Sequence, residues 1–372
     1  MTVKHRCLLP FHHLAIRPNN QVYPCCQFRW EHTPESLNLD HEDVFNHPFM
    51  QELRQAMIDD VAHPGCGMCY EQEDMSNGTK SMRLDFVREL GTDIPEKPVL
   101  THVDMALSNV CNNRCRMCNP ELSTNWYADA KKLGSEFFPP VKLSGVKSSK
   151  ELLDSHDLSQ LRYLKLIGGE PLMEQKQFIE ILKKCDLSKL RILLTTNTTI
   201  IPNDELQSLL KKCRRVGVNL SVDAYGELNN FLRKGSKWDN VVTVMDWFAD
   251  NFPPGNVKVH SIISIYNINN FYLLSDFIKS RYTKGQIKFE WQMVDGPSWM
   301  QPYNLPKHAK DAVLLDIKDK VDANTYNMVE HELNRSEGNW QEFLDKDSKI
   351  NNLRNEDWRE LNPSLNNLIN ET

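Results

Sequence analysis

Six short apolar segments alternate with five amphipathic ones between residues 99 and 292. The apolar segments have the length and composition of strands, and they lie at 99–107, 162–167, 191–195, 216–222, 257–265 and 287–292. Helical spacing of apolar residues falls between them, at 122–133, 174–185, 204–212, 238–252 and 270–280. Strands that alternate with helices are joined by right-handed crossovers into a parallel sheet. The alternation therefore predicts an α/β fold.

Polar residues and glycines follow the first four of these strands. Cys111 comes after the first strand, Gly168 after the second, Asn197 after the third and Asp223 after the fourth. In α/β barrels, functional residues lie at the rim formed by the carboxyl ends of the strands. The sequence thus predicts a functional site at that edge of the sheet.

Three cysteines follow the first strand with the spacing C-x3-C-x2-C, at Cys111, Cys115 and Cys118. Three thiolates on one loop can bind three irons of a cubane cluster and leave the fourth iron open. Four-cysteine sites close a cluster, whereas an open coordination position is typical of catalytic metal sites. Zinc sites usually contain two C-x2-C halves, and no second half follows nearby. The spacing therefore favours a cluster with an open position.

With these residues in place, the segment 99–292 resembles the radical S-adenosylmethionine (radical SAM) superfamily. Beyond the cysteines, the match includes Met117 before the last cysteine and the run Gly168-Gly169-Glu170-Pro171. It continues with Asn197, Ser221, Asp223, Arg233 and Asn267. The resemblance implies a partial (β/α)6 TIM-like barrel and a [4Fe–4S] cluster on the three cysteines. It also implies that SAM is bound by Met117, Gly168, Gly169, Glu170, Asn197, Ser221, Asp223 and Arg233.

The residue types suit these implied roles. Glycine allows a close approach of backbone to a ligand, and Glu170 can accept charge-assisted hydrogen bonds from the amino group of SAM. Asn197, Ser221 and Asp223 can bond ribose hydroxyls and the carboxylate. For Arg233 two interpretations stay open, contact with SAM or substrate and an ordinary solvated arginine.

The first 95 residues contain five of the ten cysteines and a helical pattern at 43–60. Their order resembles the auxiliary-cluster extension called twitch or SPASM, although here it precedes the barrel. The resemblance implies an auxiliary [4Fe–4S] cluster on Cys7, Cys25, Cys66 and Cys69. Cys26 is the alternative to Cys25, because adjacent strand residues point to opposite faces. Four thiolates that end in C-x2-C also suit zinc, so zinc remains an alternative.

Several other residues receive plainer interpretations. Cys185 and Cys213 are expected to be buried, inert thiols, and His12 and His13 to be hydrogen-bonded rather than metal ligands. The aromatic residues Trp291, Trp299 and Tyr303 are expected to pack, with closure of the barrel mouth as the alternative. The charged C-terminal segment carries no catalytic signal, and we expect a covering helix with a loosely held tail.

The composition of the chain limits its expected partners and cellular location. The chain has 372 residues and a formal net charge of -6, which disfavours a nucleic-acid partner. It contains no run of about 18 apolar residues and no signal-peptide core, so a cytoplasmic protein without membrane association is expected. The predicted domains are 1–95 (auxiliary Fe–S), 96–300 (partial barrel) and 301–372 (helical extension).

The resemblance implies reductive cleavage of SAM to a 5′-deoxyadenosyl radical and abstraction of hydrogen from a substrate. Twitch and SPASM relatives mostly act on peptides or proteins, so a maturase-type modification of a peptide is the leading expectation. A small molecule, such as a nucleotide, sugar or cofactor precursor, is the first alternative. A non-catalytic Fe–S protein for electron transfer or sensing is the second. A flavodoxin or ferredoxin is the expected reductant.

Overall fold

The computed structural model describes residues 4–75, 80–138 and 156–370. Its strands form one sheet in the order β2-β1-β3-β4-β5-β6-β7-β8. They are β1 (His13–Ile16), β2 (Val22–Tyr23), β3 (His102–Ala106), β4 (Tyr163–Ile167), β5 (Arg191–Thr196), β6 (Arg215–Ser221), β7 (Val257–Ile263) and β8 (Ile287–Met293). In the described residues β2 and β8 are the end strands, so the sheet is not closed into a complete barrel.

Helices connect and cover the strands. Through the barrel region they are α1 (Leu9–His12), α2 (Pro48–Ile58), α3 (Gly67–Met75), α4 (Met82–Leu90), α5 (Tyr127–Leu133), α6 (Gln175–Lys184), α7 (Asp204–Leu210), α8 (Glu227–Leu232), α9 (Trp238–Asn251) and α10 (Phe271–Arg281). The C-terminal helices are α11 (Lys307–Ile317), α12 (Ala323–Asn334), α13 (Trp340–Arg354), α14 (Trp358–Leu361) and α15 (Pro363–Asn370).

The chain folds into two compact units, and the first comprises Met1–Asn109, Lys142–Leu194 and Pro202–Val216. Within it β1 pairs in parallel with β3, with His13 opposite His102, and β3 pairs in parallel with β4. The short β2 is antiparallel to β1. Helix α6 buries Phe178, Ile179, Ile181 and Leu182, the apolar face that its sequence spacing predicts.

The second unit comprises Val110–Val141, Thr195–Ile201 and Gly217–Thr372. Strand β7 alternates buried and half-buried residues along its length and pairs in parallel with β8. The C-terminal helices add to the core of this unit through buried side chains, which include Val329, Leu333, Phe343, Ile350, Trp358 and Leu365. No helix in the described part of the chain is long and apolar enough to cross a membrane.

All six predicted strands are confirmed as β3 to β8, and the five helices between them are present within a few residues of the predicted bounds. The expected six-stranded sheet was wrong in number, because β1 and β2 extend it to eight. These two strands contain only four and two residues, too few for a periodic pattern to be read. Residues 1–109 lie in one compact unit with β4, so the division into domains at 95 and 300 stays a prediction.

The C-terminal segment is not a loosely held tail. Phe343 of α13 is fully buried, and its ring centroid lies 5.4 Å from that of Tyr266 and 4.8 Å from that of Trp340. Trp340 belongs to α13 itself, so it is the contact with Tyr266 that places α13 in the main core of the second unit.

We predict that Phe343→Ala destabilises the protein by about 3–5 kcal/mol, since it removes a fully buried aromatic ring. Leu315→Ala on α11 is the control, because Leu315 is 76% exposed and should change the free energy of unfolding by less than about 0.5 kcal/mol. Denaturant unfolding followed by circular dichroism measures both. Equal effects of the two substitutions would contradict the packing described here.

Candidate functional site

The cysteine loop, residues 111–118, has no helix or strand of its own and is held by backbone hydrogen bonds to the last residue of α8 and to the segment that follows it. The Arg114 N–H donates to the Lys234 carbonyl at 2.7 Å, and the Arg116 N–H donates to the Leu232 carbonyl at 2.8 Å. A turn forms within the loop, where the Cys118 N–H donates to the Cys115 carbonyl at 3.0 Å. These backbone hydrogen bonds define the shape of the loop independently of any ligand.

The three thiols of the loop lie close enough to influence one another. Burial raises the pKa of Cys115 to about 11, with Arg233 acting in the opposite direction and Cys111 adding to the rise. Burial also raises the pKa of Cys118, and both Cys115 and Cys111 add to that rise. Thiols in this state are protonated without a metal, so metal binding would release their protons.

One cationic group lies against this thiol cluster. Arg233 is buried, and its Nη1 lies 3.9 Å from Cys115 Sγ. Its Nε lies 2.7 Å from Asp223 Oδ2, and its Nη2 donates to Asp223 Oδ1 at 3.1 Å. The Nε and Oδ2 atoms form an ion pair but no hydrogen bond, because the N–H of Nε is poorly aligned with the carboxylate oxygen. Although burial opposes the charge, Asp223 and Cys115 raise the pKa of Arg233.

Asn197 lies against the first cysteine. Its Nδ2 is 3.7 Å from Cys111 Sγ and donates to Asn112 Oδ1 at 2.7 Å, while its Oδ1 accepts from the Thr199 hydroxyl at 2.5 Å. The structure thus brings Asn197, Asp223 and Arg233 to the three cysteines within the second unit.

Asn267 has a structural role. Its Nδ2 donates to the Asp223 carbonyl at 2.7 Å, and its Oδ1 accepts from the Ser264 N–H at 2.8 Å. It therefore fixes the main chain that carries Asp223. Ser221 ends β6 half-buried, and Met117 packs against the main core of the second unit.

The loop also contains a buried polar group that sequence reasoning missed. Asn113 is fully buried, and neither its Nδ2 nor its Oδ1 has a hydrogen-bond partner in the described part of the protein. A buried amide group without hydrogen-bond partners can be satisfied by a group that binds among the cysteines. Together with the clustered thiols and the adjacent guanidinium, it fits an anionic metal–sulfur group on this loop.

The glycine run lies in the first unit, at the end of β4. Gly168 has φ +89°, and a side chain there would overlap the Ala106 side chain and lie 3.1 Å from the Ser108 carbonyl oxygen. The Gly169 N–H donates to that same carbonyl at 3.2 Å. The next residue, Glu170, is buried, and its Oε1 accepts from the Leu172 N–H at 3.0 Å. Only glycine fits the first position of this run.

Four N-terminal thiols form a second cluster in the first unit. Burial raises the pKa of Cys7 to about 12, and Cys66 and Cys69 add to the rise. Burial also raises the pKa of Cys25, with contributions from Cys7, Cys26 and Cys66. Backbone N–H groups donate to several of these sulfurs, among them that of Leu9 to Cys7.

Cys26 faces different neighbours. Its Sγ lies 3.4 Å from the sulfur of Met82 and bonds the Asp104 carboxylate. Asp104 is buried beneath His13 and Lys165, each 3.4 Å away. The two adjacent cysteines thus have different neighbours. They do not lie on a strand as expected, because β2 ends at Tyr23 and Cys25 and Cys26 follow in a turn, where the Phe28 N–H donates to the Cys25 carbonyl at 3.2 Å. Over the described residues, no three Cys, His, Asp or Glu side chains are arranged to hold a single metal ion.

The remaining candidates have ordinary contacts. His12 Nδ1 bonds the Val99 carbonyl and His13 Nδ1 bonds the Pro24 carbonyl. The half-buried Cys185 and Cys213 donate to carbonyls one turn back in their helices. Trp291 packs on Phe271 and Trp299 on Phe343, both in the core of the second unit, while Tyr303 lies under the guanidinium of Arg335.

Comparison with known proteins gives a family for the barrel region. Residues 105–274 match the model of the radical SAM superfamily. The cysteine loop lies within the matched residues.

Individual relatives are distant. An uncharacterized protein of Archaeoglobus fulgidus is 25% identical over 114 residues, which are 31% of this chain and 26% of that protein. Among solved structures, anSMEcpe with bound AdoMet is 18% identical with a TM-score of 0.40, covering 60% of this chain and 57% of that one. SuiB of Streptococcus suis bound to precursor peptide SuiA is 14% identical with a TM-score of 0.39, covering 76% and 63%. The chain thus spans less than two thirds of each of these proteins.

We predict that Gly168→Ala destabilises the protein more than Gly91→Ala does. Both glycines have positive φ, but a side chain at Gly91 meets nothing within 4 Å, whereas one at Gly168 meets Ala106. The expected losses in the free energy of unfolding are about 1 kcal/mol for Gly91 and about 2–4 kcal/mol for Gly168. Chemical denaturation measures both, and similar losses would refute the close approach at the end of β4.

Proposed function

We propose that this chain is a radical SAM enzyme that cleaves SAM reductively and abstracts hydrogen from a peptide or protein substrate. The observation that carries the proposal is the cysteine loop, where three clustered thiols lie beside the buried Arg233–Asp223 pair. The chemistry that a bound [4Fe–4S] cluster and SAM supply is one-electron cleavage to methionine and a 5′-deoxyadenosyl radical, which takes hydrogen from the substrate.

The protein's own residues prepare this loop. Cys111, Cys115 and Cys118 would hold three irons and leave the fourth for SAM. The guanidinium of Arg233, 3.9 Å from Cys115 Sγ, stabilises the thiolate against its burial. Asp223 offsets the cost of burying that guanidinium and fixes its orientation through two contacts.

In this proposal the glycine run and Asn197 contribute to the binding of SAM. A backbone without side chains at Gly168 and Gly169 can approach the amino acid part of SAM, and Glu170 supplies a carboxylate for its amino group. Asn197, Ser221 and Asp223 supply polar groups for the ribose and carboxylate. A flavodoxin or ferredoxin would deliver the electron.

A peptide is the favoured substrate because the N-terminal cysteine order resembles the twitch or SPASM extension. The clustering of Cys7, Cys25 and Cys66 in one core supports an auxiliary cluster there. Burial and the neighbouring Cys69 raise the pKa of Cys66 to about 12, while a hydrogen bond from the Tyr70 hydroxyl and the cation of Arg83 act in the opposite direction.

We predict that the reconstituted, dithionite-reduced protein forms 5′-deoxyadenosine from SAM. The variant Cys111→Ala/Cys115→Ala/Cys118→Ala should lose this activity, because no iron-binding thiol of the loop remains. Anaerobic assay by liquid chromatography measures the product, and Cys185→Ala/Cys213→Ala is the cysteine-number control. Iron-loaded wild type that forms no 5′-deoxyadenosine would instead support an electron-transfer or sensing protein.

Substrate classes are separated in the same assay. Addition of the true substrate should raise the rate of 5′-deoxyadenosine formation above the uncoupled rate and should transfer substrate deuterium into that product. Stimulation by candidate peptides would support the proposal, and stimulation by nucleotides, sugars or cofactor precursors alone would overturn its substrate part.

We also predict that Cys25→Ser removes the auxiliary metal and Cys26→Ser retains it. Cys25 shares its surroundings with Cys7 and Cys66, whereas Cys26 faces Asp104 and Met82. Elemental analysis of iron and zinc per chain measures the outcome. Loss of about four irons in Cys25→Ser alone would support a second four-iron cluster, and loss of zinc would support the zinc alternative. Loss in Cys26→Ser alone would reverse the assignment.

A further inference from the structure

A buried arginine inside the cysteine loop is bound by the C-terminal helices. Arg116 lies between Cys115 and Met117, and its side chain is fully buried. Its guanidinium lies 3.7 Å from the ring centroid of Phe231. Sequence reasoning attached no role to this residue, and none of the motifs named above uses it.

Three polar side chains from the C-terminal segment accept hydrogen bonds from this guanidinium. Nη1 donates to Asp347 Oδ1 at 3.1 Å, while Nη2 donates to Asn351 Oδ1 at 2.5 Å and to Glu356 Oε2 at 3.0 Å. We call Asp347, Asn351 and Glu356 the C-terminal clamp. Glu356 also pairs with Lys234, whose carbonyl accepts the Arg114 N–H of the loop.

The clamp is itself held rigidly. The Asp347 carboxylate accepts from the Tyr266 hydroxyl at 2.7 Å, from Asn351 Nδ2 at 2.9 Å and from Trp358 Nε1 at 3.0 Å. Four donors on one buried carboxylate, with Arg116 as the fourth, leave it little freedom to reorient.

A second, parallel contact joins the same two segments. Asp129 of α5 accepts from Arg114 in the loop at 2.9 Å and pairs with Arg354 of α13 at 2.9 Å. The guanidinium of Arg354 lies 4.4 Å from the ring centroid of Trp126, whose Nε1 donates to the Cys115 carbonyl at 2.9 Å. Both arginines of the loop are therefore connected to α13.

Burying so many charges is a poor way to gain stability alone, because apolar residues of similar volume often serve as well or better. The network instead fixes the orientation of the loop, because a planar guanidinium that donates to three fixed acceptors allows only one placement of the loop backbone. We propose that the C-terminal clamp positions the cysteine loop through Arg116 and so sets the geometry in which its thiols receive the [4Fe–4S] cluster. This inference rests on the proposed function for the cluster, and Asp347, Asn351 and Glu356 act as positioning residues.

Hydrogen exchange in the metal-free, full-length protein tests the positioning directly. The Arg114 and Arg116 amides, bonded to Lys234 and Leu232, report the loop. In Asn351→Ala and Glu356→Gln their exchange should accelerate about tenfold or more through local opening, while amides of β7 keep their rates. Asp345→Asn, on the exposed side of α13, is the matched control and should change nothing. Unchanged loop amides, or equal acceleration throughout the chain, would overturn the proposal.

A spectroscopic arm examines the loaded protein. In the clamp variants we expect lower iron occupancy of the loop and a changed electron paramagnetic resonance spectrum of the reduced cluster with SAM, with Asp345→Asn matching wild type. Arg116→Lys, which keeps the charge and loses the fork, should resemble the clamp variants. Destabilised variants whose iron content and spectrum equal those of wild type would mean a purely structural role. Absence of a cluster in wild type would instead reject the proposed function, and the exchange result would still decide the positioning.

Discussion

The cysteine loop is an irregular backbone segment that must hold three thiols facing one another, and it lacks the repeating hydrogen bonds of a helix or strand. Its shape comes from hydrogen bonds to other segments, above all from the Arg114 and Arg116 N–H groups to carbonyls at the end of α8 and just after it. Irregular backbone in a protein interior needs partners for each polar group. Much of the second unit can be understood as supplying them.

Charge is arranged around this loop in matched pairs. Arg233 is balanced by Asp223, and Arg116 by Asp347 and Glu356. Each pair is buried, so each cation is fixed in position rather than screened by water. If the proposed metal–sulfur group binds, its thiolates would form in surroundings whose charges are already oriented, and little reorganisation would be required.

In the first unit the thiols are brought together by the hydrophobic core rather than by one loop. Cys7, Cys25, Cys66 and Cys69 come from separated parts of the chain, and the N-terminal core brings them together. Adjacent Cys25 and Cys26 diverge, and Cys26 joins the polar group around Asp104 on β3. The turn that follows β2 thus gives Cys26 different neighbours from those of the other four thiols.

The sequence by itself determined the alternating strands and helices, since apolar spacing is a local property. It also singled out the cysteine loop, the glycine run and Asn197 as candidates, since residue type and order limit the chemistry that they can support. It also located Arg233 but left its surroundings open. Only the tertiary structure decided that Arg233 pairs with Asp223, that Asn267 supports backbone, and that β1 and β2 extend the sheet. The attachment of Arg116 to Asp347 and Glu356 joins residues more than 200 positions apart, at separations of 231 and 240. No periodicity or local spacing encodes such a pairing, because it depends on how α13 packs against the core.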